Sequence, residues 1–318
     1  MTKLNRFLKA LLYSFVFIIS IAAVTLAQAP SIKISTQDEL KSDMAQGPCK
    51  NGERLDAVKK LFQRMGATDA DMKVDDLKDV KNLVLTKKGT SDETIVVGAH
   101  YDKVDVGCGT MDNWSGVVIL AHLYRTLMSG ATHKSYVFVA FDREEEGLRG
   151  SAAMVKTISK EDRPKYCSMV NLDSFGLGYP LILENASTPA MIKFAKDLGA
   201  QYKVTVQTIS LPGSADADST SFKSKDIPAI TMSALNNTWS DYMHTSKDKI
   251  DIVNPASIDL AYRFNLQYIA KIDEGACSMF RGQISDHFFV ELAMNAAALS
   301  CRRLSEFFSM YIMWPASK

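Results

Sequence analysis

The sequence has no Cys-x-x-Cys pair, no internal repeat, no low-complexity tract and no stripe of Lys and Arg with interleaved aromatics. The first absence excludes the short-spaced redox and structural zinc motifs. The second and third exclude solenoids and compositionally biased linkers. The last removes the electrostatic footprint of a nucleic-acid binder. Charge of neither sign is in excess, since 37 basic residues face 36 acidic ones for a formal net charge of +1. Cysteine is sparse and odd in number, with Cys49, Cys108, Cys167, Cys277 and Cys301 widely spaced. At least one thiol is therefore free or bonded outside the chain, and spacing alone leaves the pairing open, with simple buried thiols as the alternative.

One long apolar run stands out, Leu11 to Leu26, behind the basic residues Lys3, Arg6 and Lys9. Ala27-Gln28-Ala29 then supplies small residues where a signal peptidase cuts. The expectation is an export signal over residues 1–29, which places the protein outside the cytoplasm or in a periplasm; an uncleaved N-terminal membrane anchor is the alternative. Without the three basic residues of that leader the balance is 34 basic to 36 acidic, about −2. Asn113-Trp-Ser115, Asn185-Ala-Ser187 and Asn236-Asn-Thr238 fit the glycan acceptor pattern.

The chain as a whole is 47% hydrophobic, and the remaining residues, 30–318, read as a single domain with one substantial core. After an irregular or partly helical lead-in over 30–50, residues 52–65 place Leu55, Val58, Leu61 and Phe62 at helical spacing, with Gly66 to end the helix. Strands are predicted over 82–86, 94–99, 135–141, 167–172, 180–184 and 228–233, and helices over 115–128, 189–199 and 257–275. Short apolar strands alternating with amphipathic helices predict an α/β three-layer sandwich, a mixed but mostly parallel sheet between helices. The tail 285–313 carries Phe288, Phe289, Leu292, Ala296 and Leu299 and reads as a helical extension beginning near 276. Glu291, Arg302, Arg303 and Glu306 argue against a second membrane span there.

Acidic and imidazole groups recur where these strands end. TIVVGA runs into His100-Tyr101-Asp102, SYVFVAF into Asp142 and then Glu144-Glu145-Glu146, and CSMVNL into Asp173. Asp112 directly precedes a helix, and SDYMHTSKD supplies His244. In a layered α/β fold such ends share one edge, where ligands gather. Crowded carboxylates repel one another and are costly beside an apolar core; a divalent cation removes that cost. Two imidazoles and three carboxylates without thiolate suit zinc and also cobalt or manganese. Read singly, each residue has a plainer account: His100 as a core histidine, His244 as a surface one, Asp112 as a helix cap, Asp102 as a loop acid.

Taken together, GAHYDKVDVGCGTMDNWSGVVILAHLYRTL, FDREEEGLRGS, NLDSFG and YMHTSKD resemble the M28 family of zinc-dependent aminopeptidases, from about residue 82 to about 250. The resemblance implies two zinc ions per subunit. His100 and Asp173 would hold one, Glu145 and His244 the other, and Asp112 would bridge them. It gives Asp102 the task of orienting the His100 ring, Glu144 that of general base, and leaves Glu146 facing solvent. The implied reaction is attack of a zinc-activated water on the first peptide bond of a substrate with a free N-terminus, with Glu144 moving the proton.

Departures from the family pattern fall near the substrate pocket. Ala217-Asp218-Ser219 stands where Ser-Asp-His is common, leaving Asp218 in a supporting place. Tyr242 is positioned either to donate to the oxyanion or simply to pack, Trp114 to shape the pocket floor, and Cys108 lies in the same loop, bonded or free. Rival readings are a single-zinc glutaminyl cyclase, a carboxypeptidase or dipeptidase with the same metals, and a binding domain that kept the fold without the chemistry. Side-chain preference and oligomeric state have no signal in the sequence.

Overall fold

A computed structural model describes residues 32–77, 79–210 and 216–281. The export signal expected over 1–29 lies outside the described residues, as does the helical extension expected from about 276 apart from a short 3-10 turn at Cys277–Phe280. Within them the strands are β1 (Lys73–Leu77), β2 (Val80–Lys87), β3 (Thr94–His100), β4 (Ser135–Phe141), β5 (Tyr166–Leu172), β6 (Leu181–Leu183), β7 (Gln207–Ile209) and β8 (Ala229–Ser233). The helices are α1 (Gln37–Met44), α2 (Asn51–Arg64), α3 (Ser115–Met128), α4 (Arg149–Lys156), α5 (Pro189–Tyr202), α6 (Asp218–Lys223) and α7 (Pro255–Glu274).

All eight strands join one mixed sheet in the order β1-β2-β4-β3-β5-β8-β6-β7. Its centre, β4-β3-β5-β8, is parallel throughout. An antiparallel β1–β2 hairpin extends one edge, and β6 runs antiparallel to β8 at the other. Because side chains alternate across a strand, the central strands feed two cores. Ile95, Val97 and Ala99 of β3 pack on the larger one, with apolar positions of α1, α2, α3, α5 and α7. Val96 enters the smaller one with Val155 of α4 and Phe222 of α6. Helices therefore cover both faces, and the fold is the three-layer sandwich with a largely parallel sheet.

The four parallel strands all end on one edge, and the connections leaving them, at 100–114, 142–148, 173–176 and 234–248, gather there. Helix α3 starts close against that edge: a side chain at Gly116 would meet the Leu172 carbonyl oxygen at 2.4 Å, so only glycine fits. Two disulfides, Cys49–Cys108 and Cys167–Cys277, pair four of the cysteines, and Cys301 lies outside the described residues. Cys108 is thus bonded. Asn113 is fully buried, which removes its sequon as a glycan acceptor.

Four elements have no counterpart among the predicted ones. β1 is an edge strand of sequence KVDDL, too polar to show a buried face, and β7 is three residues long. α4 and α6 have eight and six residues, too few for helical periodicity to register. The strand expected over 180–184 shortens to 181–183.

Candidate metal centre

His100 is the last residue of β3 and is almost completely buried, fixed in place because its neighbours Ala99 and Tyr101 are core residues. Its Nε2 lies 3.2 Å from Asp112 Oδ1 and 3.7 Å from Asp173 Oδ1. The other oxygen of the same carboxylate, Asp112 Oδ2, lies 3.1 Å from His244 Nε2, which is also 3.1 Å from Glu145 Oε2. One carboxylate thus faces two imidazoles, one oxygen to each. His100, Asp112 and Asp173 form one group whose donor atoms lie within 4.8 Å of one another, and Asp112, Glu145 and His244 form a second.

This donor set fits a pair of cations. It consists of nitrogen and carboxylate oxygen without sulfur. Glu145 Oε1 is buried and has no hydrogen-bond partner among the described residues, an orphaned acceptor where a ligand atom is needed. Two candidate metal clusters therefore share Asp112, the arrangement of a co-catalytic zinc site.

The Asp112 and Glu145 carboxylates hold the pKa of the half-exposed His244 up to about 10. Burial works against a charge on His100, yet the Glu144, Asp102, Asp112 and Asp173 carboxylates around it raise it well above the usual imidazole range. Asp112, although buried, is held below the usual carboxylate range by the two imidazoles.

The acidic triplet after β4 divides three ways. Its residues occupy a turn in which the Gly147 and Leu148 N–H groups donate to the Glu144 carbonyl. Glu145 belongs to the second cluster, and Glu146 points outward to Arg143 and Arg149. A Glu144 oxygen sits within 4.8 Å of donor atoms of His100 and Glu145. Burial pushes the Glu144 carboxyl well above its ordinary range; His100 opposes this, and Asp173, Asp218 and Asp112 add to it.

Asp102 stands behind this array. Its carboxylate accepts the backbone N–H groups of Glu144 and Glu145 at 3.0 and 3.1 Å, and His100 Nδ1 is 3.4 Å from it and 3.2 Å from the Asp102 carbonyl. Asp218, at the start of α6, is fully buried nearby, and burial pushes its carboxyl up to about 7. Tyr242 packs in an apolar cluster with Trp239 and Met243, next to His244 along the chain. Trp114 corrects its expectation. It is fully buried in the main core, donating its indole N–H to the Asp43 carbonyl at 3.0 Å, and offers no surface to a pocket.

Two supporting residues were missed from sequence. Asp248 accepts the backbone N–H groups of Thr110, Met111 and Asp112 at 3.0, 2.7 and 3.1 Å, fixing the segment that carries the shared carboxylate. Its signal was its place four residues after His244 in the quoted YMHTSKD block. Asn113 donates to the Leu172 carbonyl and accepts from Gly116 and Ser174, tying the Asp112 loop to the end of β5 beside Asp173.

The model of peptidase family M28 matches residues 82–269, more than half of the chain and all of the site residues above. The chain belongs to peptidase family M28. Among curated relatives of this M28 chain, leucine aminopeptidase 1 of Pyrenophora teres f. teres is 27% identical over 225 residues, covering 63% of this chain and 58% of the relative. Aminopeptidase YwaD of Bacillus subtilis is 25% identical over 181 residues, covering 53% and 39%. The chain thus spans between two fifths and three fifths of the length of these relatives. Solved structures share the fold: the LapA aminopeptidase of Legionella pneumophila at TM-score 0.61 and 20% identity, covering 79% of each chain. A glutaminyl cyclase of an Acidobacteriales bacterium reaches TM-score 0.63 at 17% identity, covering 77% of this chain and 97% of the cyclase. At such identities the likeness speaks for the fold alone, which both kinds of enzyme share.

Proposed function

We propose that this M28 chain is a zinc-dependent aminopeptidase that removes the first residue of peptides with a free N-terminus. The observation that carries the reading is the Asp112 carboxylate facing His100 and His244 with one oxygen each, flanked by Asp173 and Glu145. His100 and Asp173 would hold one zinc, Glu145 and His244 the other, and Asp112 both. A bound zinc pair supplies a polarising field for the scissile carbonyl and makes a water nucleophilic near neutral pH. The protein's own residues do the rest. Glu144, whose carboxyl burial raises above its ordinary range, takes the proton of the attacking water and passes it to the leaving nitrogen. Asp102 holds the Glu144–Glu145 backbone and the His100 ring, so base and ligands keep a fixed relation. The partly exposed Trp239, Tyr242 and Met243, next to His244 along the chain and packed on the buried Met111, Leu181 and Leu235, would favour an apolar first residue, in keeping with relatives named leucine aminopeptidases.

The two disulfides support work in an oxidising compartment, as the export reading of residues 1–29 requires. No helix among the described residues is long and apolar enough to cross a membrane.

A matched pair of peptides tests the reading, one beginning with free Leu and one with N-acetyl-Leu, each with and without a zinc chelator. We expect free leucine only from the unblocked peptide and only without chelator. Equal release from the acetylated peptide would overturn the end specificity, and release undiminished by the chelator would overturn the metal chemistry. A Gln-initiated peptide in the same assay should give free glutamine; ammonia loss at unchanged chain length would mark a cyclase.

A further inference from the structure

We propose that Arg54 is a positioning residue for the metal pair: its guanidinium holds the 101–112 segment, and through it His100 and Asp112, at the spacing two cations need. The inference rests on reading the site as a zinc pair. Arg54 lies on α2, outside every motif that carries the family match, and its side chain is fully buried. No carboxylate comes within ion-pair distance of it among the described residues; its donors go to backbone carbonyls. Nε donates to Tyr101, Nη1 to Cys108 at 3.0 Å and Pro48 at 3.2 Å, and Nη2 to Gly109 at 3.1 Å. The Trp114 ring lies 5.6 Å beneath the guanidinium carbon, which accounts for that tryptophan's place in the core.

Burying a cation is costly even where, as here, the Asp102, Asp112, Asp248 and Glu145 carboxylates offset part of the cost from beyond ion-pair distance, and its hydrogen bonds all go to the loop's carbonyls. The Tyr101 carbonyl lies between His100 and Asp102, and the Gly109 carbonyl three residues before Asp112. Arg54 therefore joins both arms of the loop that carries a ligand, its orienting acid and the shared carboxylate. Asp248 completes the arrangement from the opposite sense of charge, accepting the three N–H groups at 110–112. A buried cation reads the loop's carbonyls and a buried anion its amides. Neighbours of Arg54 pull on the same loop: Asn51 exchanges two hydrogen bonds with the Lys103 backbone, and Cys49 is bonded to Cys108. Arginine suits this task because one rigid fork serves several carbonyls, whereas a lysine ammonium is a compact point donor on a flexible stem.

Two roles for Arg54 make opposite predictions. As a mere charge it repels cations, so its removal should tighten zinc binding, and lysine should replace it without loss. As a positioning group it favours binding through the loop, so lysine and methionine should both weaken it. Replacing groups that orient metal ligands typically costs about 10–100-fold in metal affinity. The test is zinc titration against a competing chelator on the parent, Arg54→Lys, Arg54→Met and the control Arg64→Lys, with folding followed by thermal unfolding. Arg64 sits on the same helix but pairs with Asp43 at 2.7 Å. We expect about 10–100-fold weaker zinc binding in both Arg54 variants and parental affinity in Arg64→Lys, even where the control melts lower. Should Arg54→Met not fold, Arg54→Lys, which keeps stem and charge, decides alone. Parental affinity in a folded Arg54→Lys overturns the proposal, as does tighter binding in Arg54→Met. A parent that binds no zinc overturns the metal reading and this inference together.

Discussion

Glu144→Gln is expected to lower turnover by about 10²–10⁴-fold while leaving two zinc ions bound. The substitution keeps the side chain's shape and the backbone N–H bonded to Asp102, so the turn that presents Glu145 is retained. On the proposed reading, what is lost is the proton acceptor, and Glu144 rather than its neighbour is the base. That choice is supported by Glu145 Oε2 lying 3.1 Å from His244, among the metal donors, whereas Glu144 makes no ion pair with His244. The pH dependence carries the same sign. Burial raises the Glu144 carboxyl, and a base works only when deprotonated, so kcat/KM should fall as pH falls through that raised value. The glutamine variant has no such group to titrate, and its acidic limb should lose this component. Kinetics across pH with elemental analysis of the same samples checks both statements. A glutamine variant turning over at the parental rate would remove Glu144 from the mechanism, and one that lost zinc would make it a ligand.

Asp112→Ala should have an effect at least as large, by a different route. Both clusters use this carboxylate, one oxygen apiece, so a single truncation takes a donor from each. The loop itself should survive, because Asp248 holds it through backbone N–H groups that alanine also has. Metal content is expected to fall from two ions to less than one per chain. Polarisation of the carbonyl by metal is worth several kcal/mol, and each 1.36 kcal/mol is tenfold in rate, so turnover should drop about 10³-fold or more. His244→Ala touches only one cluster and serves as the comparison. A folded Asp112→Ala protein that kept two zinc ions would mean that the shared carboxylate is incidental.

Much of this centre could be read from sequence because of how parallel strands are built. β3, β4 and β5 are covered by helices on both sides, so they run apolar to their last residues, and His100, Glu144 and Asp173 stand out where each run stops. Helix α3 was legible over its whole length, 115–128, because its fourteen residues span enough turns for the apolar period to show. The supports were less legible, for a physical reason. Arg54 and Asp248 act on backbone carbonyls and amides 54 and about 137 residues away, and a backbone partner leaves no mark on residue type. Asp248 at least lay inside a recognisable block, while Arg54 looked like any charged position of an amphipathic helix. Trp114 was misplaced because a tryptophan after Asn113, where the family pattern commonly has a smaller residue, suggested the pocket floor, whereas its ring is buried under Arg54. Pairing of the cysteines, separated by 59 and 110 residues, depended on tertiary structure alone.

Zinc-edge anomalous diffraction from crystals of the zinc-loaded protein tests the central claim most directly. The account predicts two peaks roughly 3.5–4 Å apart, one against His100 and Asp173, the other against Glu145 and His244, with Asp112 touching both. A single peak, or two that do not share Asp112, would contradict it.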